Sequence, residues 1–164
     1  MLRDKSLIPL SRQHQHALAL CVRINRAPLA SPRELQAWQA EVEQHFALEI
    51  QFHFATEQQD VFPLARQQAH LAPLVEELLA EHGQLRDYFE RAKARELDGP
   101  TLRQFAELLS SHIRKEERQL FEEMQKHVSP AELERMGGHV EKSLAPVTEA
   151  CITPTEEILK AQRS

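Results

Sequence analysis

Apolar residues recur along the chain at helical spacing. In the first such stretch, steps of three, four and seven connect Leu7, Leu10, Ala17, Cys21 and Ile24, which places these side chains on one face of a helix. Three more stretches of the same kind follow. Alternation of apolar and polar residues, which is typical of half-buried strands, is almost absent. The pattern therefore predicts an all-α fold.

Prolines and capping residues set the expected helix boundaries. Ser11 is a candidate cap for the first helix, and residues 31–34 read as a capping box that starts the second. Pro28 is expected to close the first helix, and Pro63 the second. The third helix is expected to begin near Pro73. The fourth is expected to follow a turn at residues 98–101 and to end near Val128. The connections are short, so neighbouring helices are expected to be antiparallel.

The C-terminal part repeats the capping-box pattern twice. Residues 129–132 and 153–156 each combine Ser or Thr, Pro and a Glu three residues after the cap. Gly137, Gly138 and Pro146 are expected to break the stretch between them, which gives short C-terminal helices. We expect one domain over residues 1–164, with the bundle at about 7–128 and a helical extension at 129–164.

Length and charge narrow the class of protein. A chain of 164 residues suits one domain with one core. Its net charge of −5 argues against a nucleic-acid binder, because phosphate binding relies on clustered cations. No apolar run is long enough to span a membrane, and no secretory signal is visible. The two cysteines make no disulfide framework, so a reducing cytoplasm is the expected location.

The two halves of the bundle resemble each other. When His14 is aligned with His82, apolar residues stand at four matching positions. These positions lie seven and four residues before the histidine and three and seven residues after it. When His53 is aligned with His112, apolar residues match again, and Glu57 falls opposite Glu116, four residues after the histidine in both helices. Two helix hairpins packed face to face would bring these positions together.

Six polar residues therefore occupy positions where core residues belong. They are His14, His53, Glu57, His82, His112 and Glu116. A buried carboxylate costs several kcal/mol unless it is paired or bound to a cation. Four imidazoles and two carboxylates are too many ligands for one tetrahedral zinc. They suit two metal ions, each with two histidines, bridged by both glutamates and by an oxo or hydroxo group.

Mixed imidazole and carboxylate ligands favour iron over calcium or magnesium, although manganese and zinc stay open. The competing interpretation is a structural bundle whose histidines are inert and hydrogen-bonded. The sequence favours the metal site because the pattern occurs twice.

Several other polar residues compete for a role near the centre. His16 is the alternative to His14, but it points about 200° away around the helix. Glu49 and His45 extend the inward face of the second helix and are candidates to support a ligand histidine. Glu117 is expected to be exposed, and Cys21 is expected to be a small core residue.

The chain also resembles the hemerythrin-like (HHE cation-binding) family over about residues 7–128. The matching segments are Arg12-Gln13-His14, His53-Phe54-Ala55-Thr56-Glu57 with Val61-Phe62-Pro63, Glu81-His82 with Leu85-Arg86, and His112 to Glu117 with Leu120-Phe121. The resemblance implies an up-down-up-down four-helix bundle with a non-heme di-iron centre. Carried over position by position, it implies the same six residues as ligands.

The chain departs from oxygen-carrying hemerythrins, which have a second histidine one turn from the first on the third helix. Leu78 and Arg86 stand at the corresponding positions. The four-histidine, two-glutamate set looks like that of iron-sensing and cluster-repair relatives. The expected function is to bind or sense iron, dioxygen or nitric oxide, with an unidentified protein partner if the chain is a sensor. The alternative is a stress-response enzyme that reduces nitric oxide or repairs iron–sulfur clusters.

Overall fold

A computed structural model describes residues 2–147. The described residues form five long helical stretches and contain no strand, which confirms the all-α prediction. We number these stretches α1 to α5. Three are regular: α1 is Ile8–Arg26, α3 is Ala72–Lys93 and α5 is Pro130–Leu144.

The other two stretches contain π-helical turns. Residues 32–66 form α2, which consists of Pro32–His45, a π turn at Phe46–Ile50, Gln51–Thr56, a second π turn at Glu57–Val61, and Phe62–Arg66. Residues 99–127 form α4, which consists of Gly99–Lys115, a π turn at Glu116–Leu120, and Phe121–His127. A 3₁₀ turn at Ala69–Leu71 leads into α3. Such π turns occur often at functional sites.

Two of the expected helix starts are capped by side chains. Ser31 Oγ accepts a hydrogen bond from the Glu34 backbone N–H at 3.2 Å, and Asp98 Oδ1 accepts one from the Thr101 N–H at 2.9 Å. Each bond satisfies a backbone donor that has no partner within the first turn. Ser11 does not cap the first helix, because α1 already begins at Ile8.

Pro63 does not end the second helix. The helical path continues through Phe62–Arg66, and Pro63 lies in the first turn after the π turn Glu57–Val61. Proline is tolerated in the first turn of a helical segment, where its missing N–H would have no helical partner. The expectation failed because the π turn, which the sequence pattern did not reveal, creates such a position.

The C-terminal extension begins as expected and then differs. Ser129 and Glu132 form the reciprocal capping box of α5. The two glycines do not break this helix, which runs through to Leu144. At Gly137, an added Cβ would lie 2.6 Å from Ser6 Cβ, so glycine allows α5 to approach the N-terminal segment closely. The helix expected after residue 153 lies outside the described residues.

Two hydrophobic clusters fill the interior. The first, which we call the Phe105 cluster, includes Leu20, Ile24, Val42, Phe54, Leu85, Phe89, Leu102, Phe105 and Leu109. The second, the Phe121 cluster, includes Leu7, Leu10, Val61, Phe62, Val75, Leu78, Leu120, Phe121 and Met124. Burial of each large apolar side chain contributes about 1.5–3 kcal/mol relative to exposure.

The order of these clusters alternates along the chain. Going from N- to C-terminus, α1 and α3 contribute first to the Phe121 cluster and then to the Phe105 cluster, whereas α2 and α4 contribute in the opposite order. The inward histidine falls at the change from one cluster to the other on α1 and α3. On α2 and α4, the glutamate four residues after the histidine does. The six polar residues therefore lie in a band between two apolar layers, which exclude water from both sides.

None of the helices within residues 2–147 has the length and apolar character needed to cross a membrane.

Candidate metal centre

The six inward polar residues meet in two overlapping groups. One group consists of His14, His53, Glu57 and Glu116, and the other of Glu57, His82, His112 and Glu116. Within each group, one donor atom per residue lies within 4.8 Å of the others. The side chains are among the most deeply buried in the molecule, because no one of the six is more than 5% exposed.

The first group is held together by short distances. His14 Nε2 lies 3.0 Å from His53 Nε2 and 3.1 Å from Glu116 Oε2. His53 Nε2 lies 2.9 Å from Glu57 Oε1. Cis ligands of an octahedral ion with bonds of about 2.1 Å are about 3.0 Å apart. These donor atoms thus have the spacing of ligands around one common ion.

The second group uses the remaining carboxylate oxygens. His82 Nε2 lies 3.3 Å from Glu57 Oε2, and His112 Nε2 lies 3.2 Å from Glu116 Oε1. Each glutamate therefore presents one oxygen to the first pair of histidines and its other oxygen to the second pair. This is the geometry of two carboxylates that bridge two neighbouring cations.

Two of the three π turns described above start at the two glutamates. Glu57 opens the turn Glu57–Val61, and Glu116 opens the turn Glu116–Leu120. Each glutamate follows its histidine by four residues, so the pair shares one helix face within regular α-helix before the wider turn begins. The internal repeat thus extends from residue types to an unusual backbone feature.

Three of the four inward imidazoles are oriented by a hydrogen bond at Nδ1, the ring nitrogen that faces away from the centre. Their partners are Glu117 Oε1 for His14 at 2.6 Å, Gln13 Oε1 for His53 at 2.7 Å, and Glu81 Oε2 for His112 at 2.9 Å. An oxygen acceptor at Nδ1 keeps the proton on that nitrogen and leaves the Nε2 lone pair facing the centre. Such contacts are typical of the surroundings of metal ligands.

His82 is held differently. Among the described residues, no hydrogen-bond partner reaches its Nδ1. Its ring instead stacks on Phe54, with ring centroids 3.8 Å apart and planes at 16°. The two halves of the centre therefore share a donor set but not the same support.

Many donor atoms at the centre lack a hydrogen bond. Within residues 2–147, no hydrogen-bond partner reaches the buried oxygens of Glu57 and Glu116 or the buried Nε2 of His82 and His112. An unsatisfied buried polar atom ordinarily costs about 1–3 kcal/mol, and more when it is charged. Cations between these atoms would satisfy all of them at once, so the residues fit a pair of metal ions.

The pKa values of two inward histidines in the metal-free centre also fit a site for cations. Burial acts to lower the pKa of His112, but the neighbouring Glu116 carboxylate outweighs it and raises the pKa to about 9. Burial likewise opposes protonation of His14, yet the nearby carboxylates of Glu116 and Glu117 raise its pKa well above the usual range. Protons therefore balance the buried carboxylates in the absence of metal, and ions that bind must displace them.

A small cavity adjoins the donor atoms. Its volume is about 10 Å³, which is room for about one water molecule. Its walls combine His14, His53, His112 and Glu116 with apolar side chains of the Phe105 cluster, among them Phe54 and Leu109. Gln13 and Glu49 add two further polar groups to the lining. A ligand about the size of one water molecule could therefore approach the centre here between polar and apolar side chains.

The other polar residues that the sequence suggested for a role near the centre lie outside the group of six. His16 Nδ1 contacts Glu49 Oε2 at 3.1 Å, with the imidazole largely exposed. His45 Nε2 lies 3.7 Å from Glu41 Oε1. Within residues 2–147, neither Glu49 nor His45 hydrogen-bonds to one of the four inward imidazoles, although Glu49 lines the small cavity. Cys21 is buried in the core, as expected.

Three residues that hydrogen-bond to the inward imidazoles were not predicted from the sequence. Glu117 was expected to be exposed, but it is only 21% exposed and also accepts from Ser11 and Arg3. Gln13 and Glu81 directly precede His14 and His82, so they are equivalent in the repeat. Each supports the histidine of the following helix. This equivalence was a signal in the sequence that could have identified them.

Comparison with known proteins agrees with the geometry. No curated protein and no solved structure matches the chain. The family model of the hemerythrin HHE cation-binding domain matches residues 9–124, which is more than half of the 164 residues and includes all six inward polar residues. The chain belongs to the hemerythrin HHE cation-binding domain family.

Proposed function

We propose that this protein binds two iron ions in its buried centre and uses them to bind or sense a small ligand such as dioxygen or nitric oxide. The observation that carries the proposal is the bridging arrangement of Glu57 and Glu116, whose oxygens each face a different pair of histidines. His14 and His53 would hold one ion, and His82 and His112 the other. The bound ions would supply open coordination positions and redox chemistry.

The proposal includes the arrangement of the helices. We infer an up-down-up-down four-helix bundle formed by α1 to α4, within a single domain that α5 extends. The alternating order of the two hydrophobic clusters supports this, because antiparallel neighbours meet the same two layers in opposite order.

The surroundings of the centre determine what can reach it. The apolar layers exclude bulk water, so the centre would accept only small uncharged molecules through the cavity beside His53 and His112. Gln13, Glu81 and Glu117 hold three imidazoles in the orientation that binding requires. A cytoplasmic location belongs to the same proposal, since the buried free thiol of Cys21 is compatible with reducing conditions.

Metal analysis tests the proposal. Purified protein loaded anaerobically with ferrous iron should retain about two ions per chain after desalting. The variants Glu57→Gln and His53→Ala should retain fewer, whereas the matched control His16→Ala should equal the wild type because His16 does not reach the centre. A wild-type chain that retains no metal would contradict the proposal.

Spectroscopy then separates binding from catalysis. Exposure of the iron-loaded protein to oxygen or nitric oxide should produce a visible absorption band that the Glu57→Gln variant lacks. A band that disappears when the gas is removed supports a binding or sensing role. Sustained consumption of nitric oxide with a reductant supports the alternative, a stress-response enzyme.

A further inference from the structure

A third group of donor atoms lies at the surface, outside the candidate centre. His70, Glu123 and His127 each offer one donor atom, and these atoms lie within 4.8 Å of one another. Both imidazoles direct Nε2 at the same carboxylate oxygen, Glu123 Oε2, and both distances are 3.3 Å. The two rings are close as well, with centroids 4.8 Å apart. Three donors therefore converge from three side chains.

The backbone under this group is well anchored. Glu123 and His127 lie four residues apart on one face of α4, and His70 lies in the 3₁₀ turn Ala69–Leu71. Leu71 and Met124, which adjoin these donors in sequence, are both buried in the Phe121 cluster. The cluster thus fixes the turn before α3 against the end of α4, so the convergence does not depend on free surface loops.

The spacing suits a metal ion. Zinc binds histidine nitrogen and carboxylate oxygen at about 2.0–2.2 Å, so tetrahedral ligand atoms lie about 3.3–3.6 Å apart. Both nitrogen–oxygen distances in this group, 3.3 Å, fall at that value. Two histidines and one glutamate also form a ligand set that zinc uses when it keeps a fourth, open position for water.

The negative charge of Glu123 is stabilised through its other carboxylate oxygen. Lys126 Nζ donates to Glu123 Oε1 at 2.7 Å, and this hydrogen bond lowers the pKa of the carboxyl group. Oε2 is thereby left to the two imidazoles. The three side chains are between 31% and 49% exposed, so an ion could arrive directly from solvent.

We propose that His70, Glu123 and His127 form a surface site for Zn²⁺, independent of the buried centre. A bound ion would join the connection between α2 and α3 to the last turns of α4. It would stabilise this end of the molecule by mass action, since the unfolded chain lacks the convergent site.

Zinc titration of the full-length, metal-free protein tests this proposal. His70→Ala and His127→Ala should each bind one zinc ion fewer per chain than the wild type. Loss of a residue that only orients a ligand weakens metal binding about 10–100-fold, so loss of a ligand should weaken this event at least as much. The control His139→Ala removes another exposed histidine, which faces Asp60 instead, and should bind as the wild type does.

A second background separates this site from the buried one. In the Glu57→Gln variant, the surface event should persist, and the added change His127→Ala should remove it. Zinc should also raise the melting temperature of the Glu57→Gln variant but not that of the double variant. Equal zinc stoichiometry and affinity in the wild type, His70→Ala and His127→Ala would overturn the proposal, whatever the buried centre binds.

Discussion

Glu57 and Glu116 are fully buried carboxylates that stand at equivalent positions of the two halves of the chain, and each faces imidazoles from both halves. Glu57 reaches His53 and His82, and Glu116 reaches His14 and His112. Among the residues that the structure describes, none forms a hydrogen bond with either oxygen of Glu57 or Glu116. Two such buried carboxylates are unfavourable unless positive charge lies between them. Bound cations would supply that charge.

The first prediction concerns the carboxylate of Glu57. Glu57→Gln should abolish tight iron binding at the buried centre, so iron bound there should raise the unfolding temperature of the wild type but not that of the variant. The reason is that the substitution removes a carboxylate from both groups of donor atoms, and only a chain that binds the ions gains stability from them. Thermal unfolding with and without metal, followed by circular dichroism, measures both effects. A variant that is destabilised without metal and binds metal normally would show that Glu57 is a structural residue.

The second prediction concerns the support of His112. Glu81 accepts from His112 at 2.9 Å and also pairs with Lys115, whereas Glu77 pairs with Lys115 only. Glu81→Ala should therefore weaken metal binding about 10–100-fold. Glu77→Ala, which removes the exposed carboxylate that pairs with the same lysine, should leave the affinity unchanged. Competition with a chromophoric chelator gives both affinities, and equal values for the two variants would count against a supporting role of Glu81.

The third prediction uses the paired glycines of α5. At Gly137 an added methyl group would meet Ser6 at 2.6 Å, whereas nothing lies within 4 Å of the corresponding position at Gly138. Gly137→Ala should lower the free energy of unfolding by about 1–3 kcal/mol through overpacking. Gly138→Ala should raise it by up to about 1 kcal/mol, because alanine favours the helix. Urea unfolding of both variants checks the opposite signs.

The fourth prediction concerns acid stability. Burial opposes ionisation of Glu41, but the neighbouring His45 imidazole and the Arg23 guanidinium, which donates to both carboxylate oxygens, outweigh it and lower its pKa from the ordinary value of 4.5. A carboxyl group whose pKa is lower in the folded state stabilises the protein above its unfolded-state pKa, and that contribution is lost as pH falls through the folded-state pKa. Below about pH 4.5, the metal-free wild type should therefore lose stability more steeply than Glu41→Gln. Parallel pH profiles would contradict this assignment.

The repeated pattern of the sequence was enough to predict the helices and to find six inward polar residues that the structure brings together. It was not enough to predict the π turns, because the residues that follow Glu57 and Glu116 show no pattern that distinguishes a wider turn from a regular helix. Pro63 was misread for that reason. Gly137 was misread because its role depends on Ser6, which is distant in sequence and close only in the folded chain.

The supporting contacts were harder to predict than the inward residues themselves. Glu49 has the helical phase of a core residue, yet its carboxylate turns to His16 at the surface. Glu117 lies in a charged run that resembles a solvated face, but Arg3 and Ser11 from the N-terminal region enclose it. Helical periodicity indicates the direction of a side chain, whereas these contacts depend on which neighbouring element arrives there.

A crystal structure of the iron-loaded protein, with anomalous diffraction at the iron edge, tests the central claim most directly. We predict two iron peaks about 3.5–4 Å apart, one bound by His14 and His53 and the other by His82 and His112, with Glu57 and Glu116 in contact with both. A single peak, or iron bound away from these residues while their side chains hydrogen-bond to one another, would contradict the account.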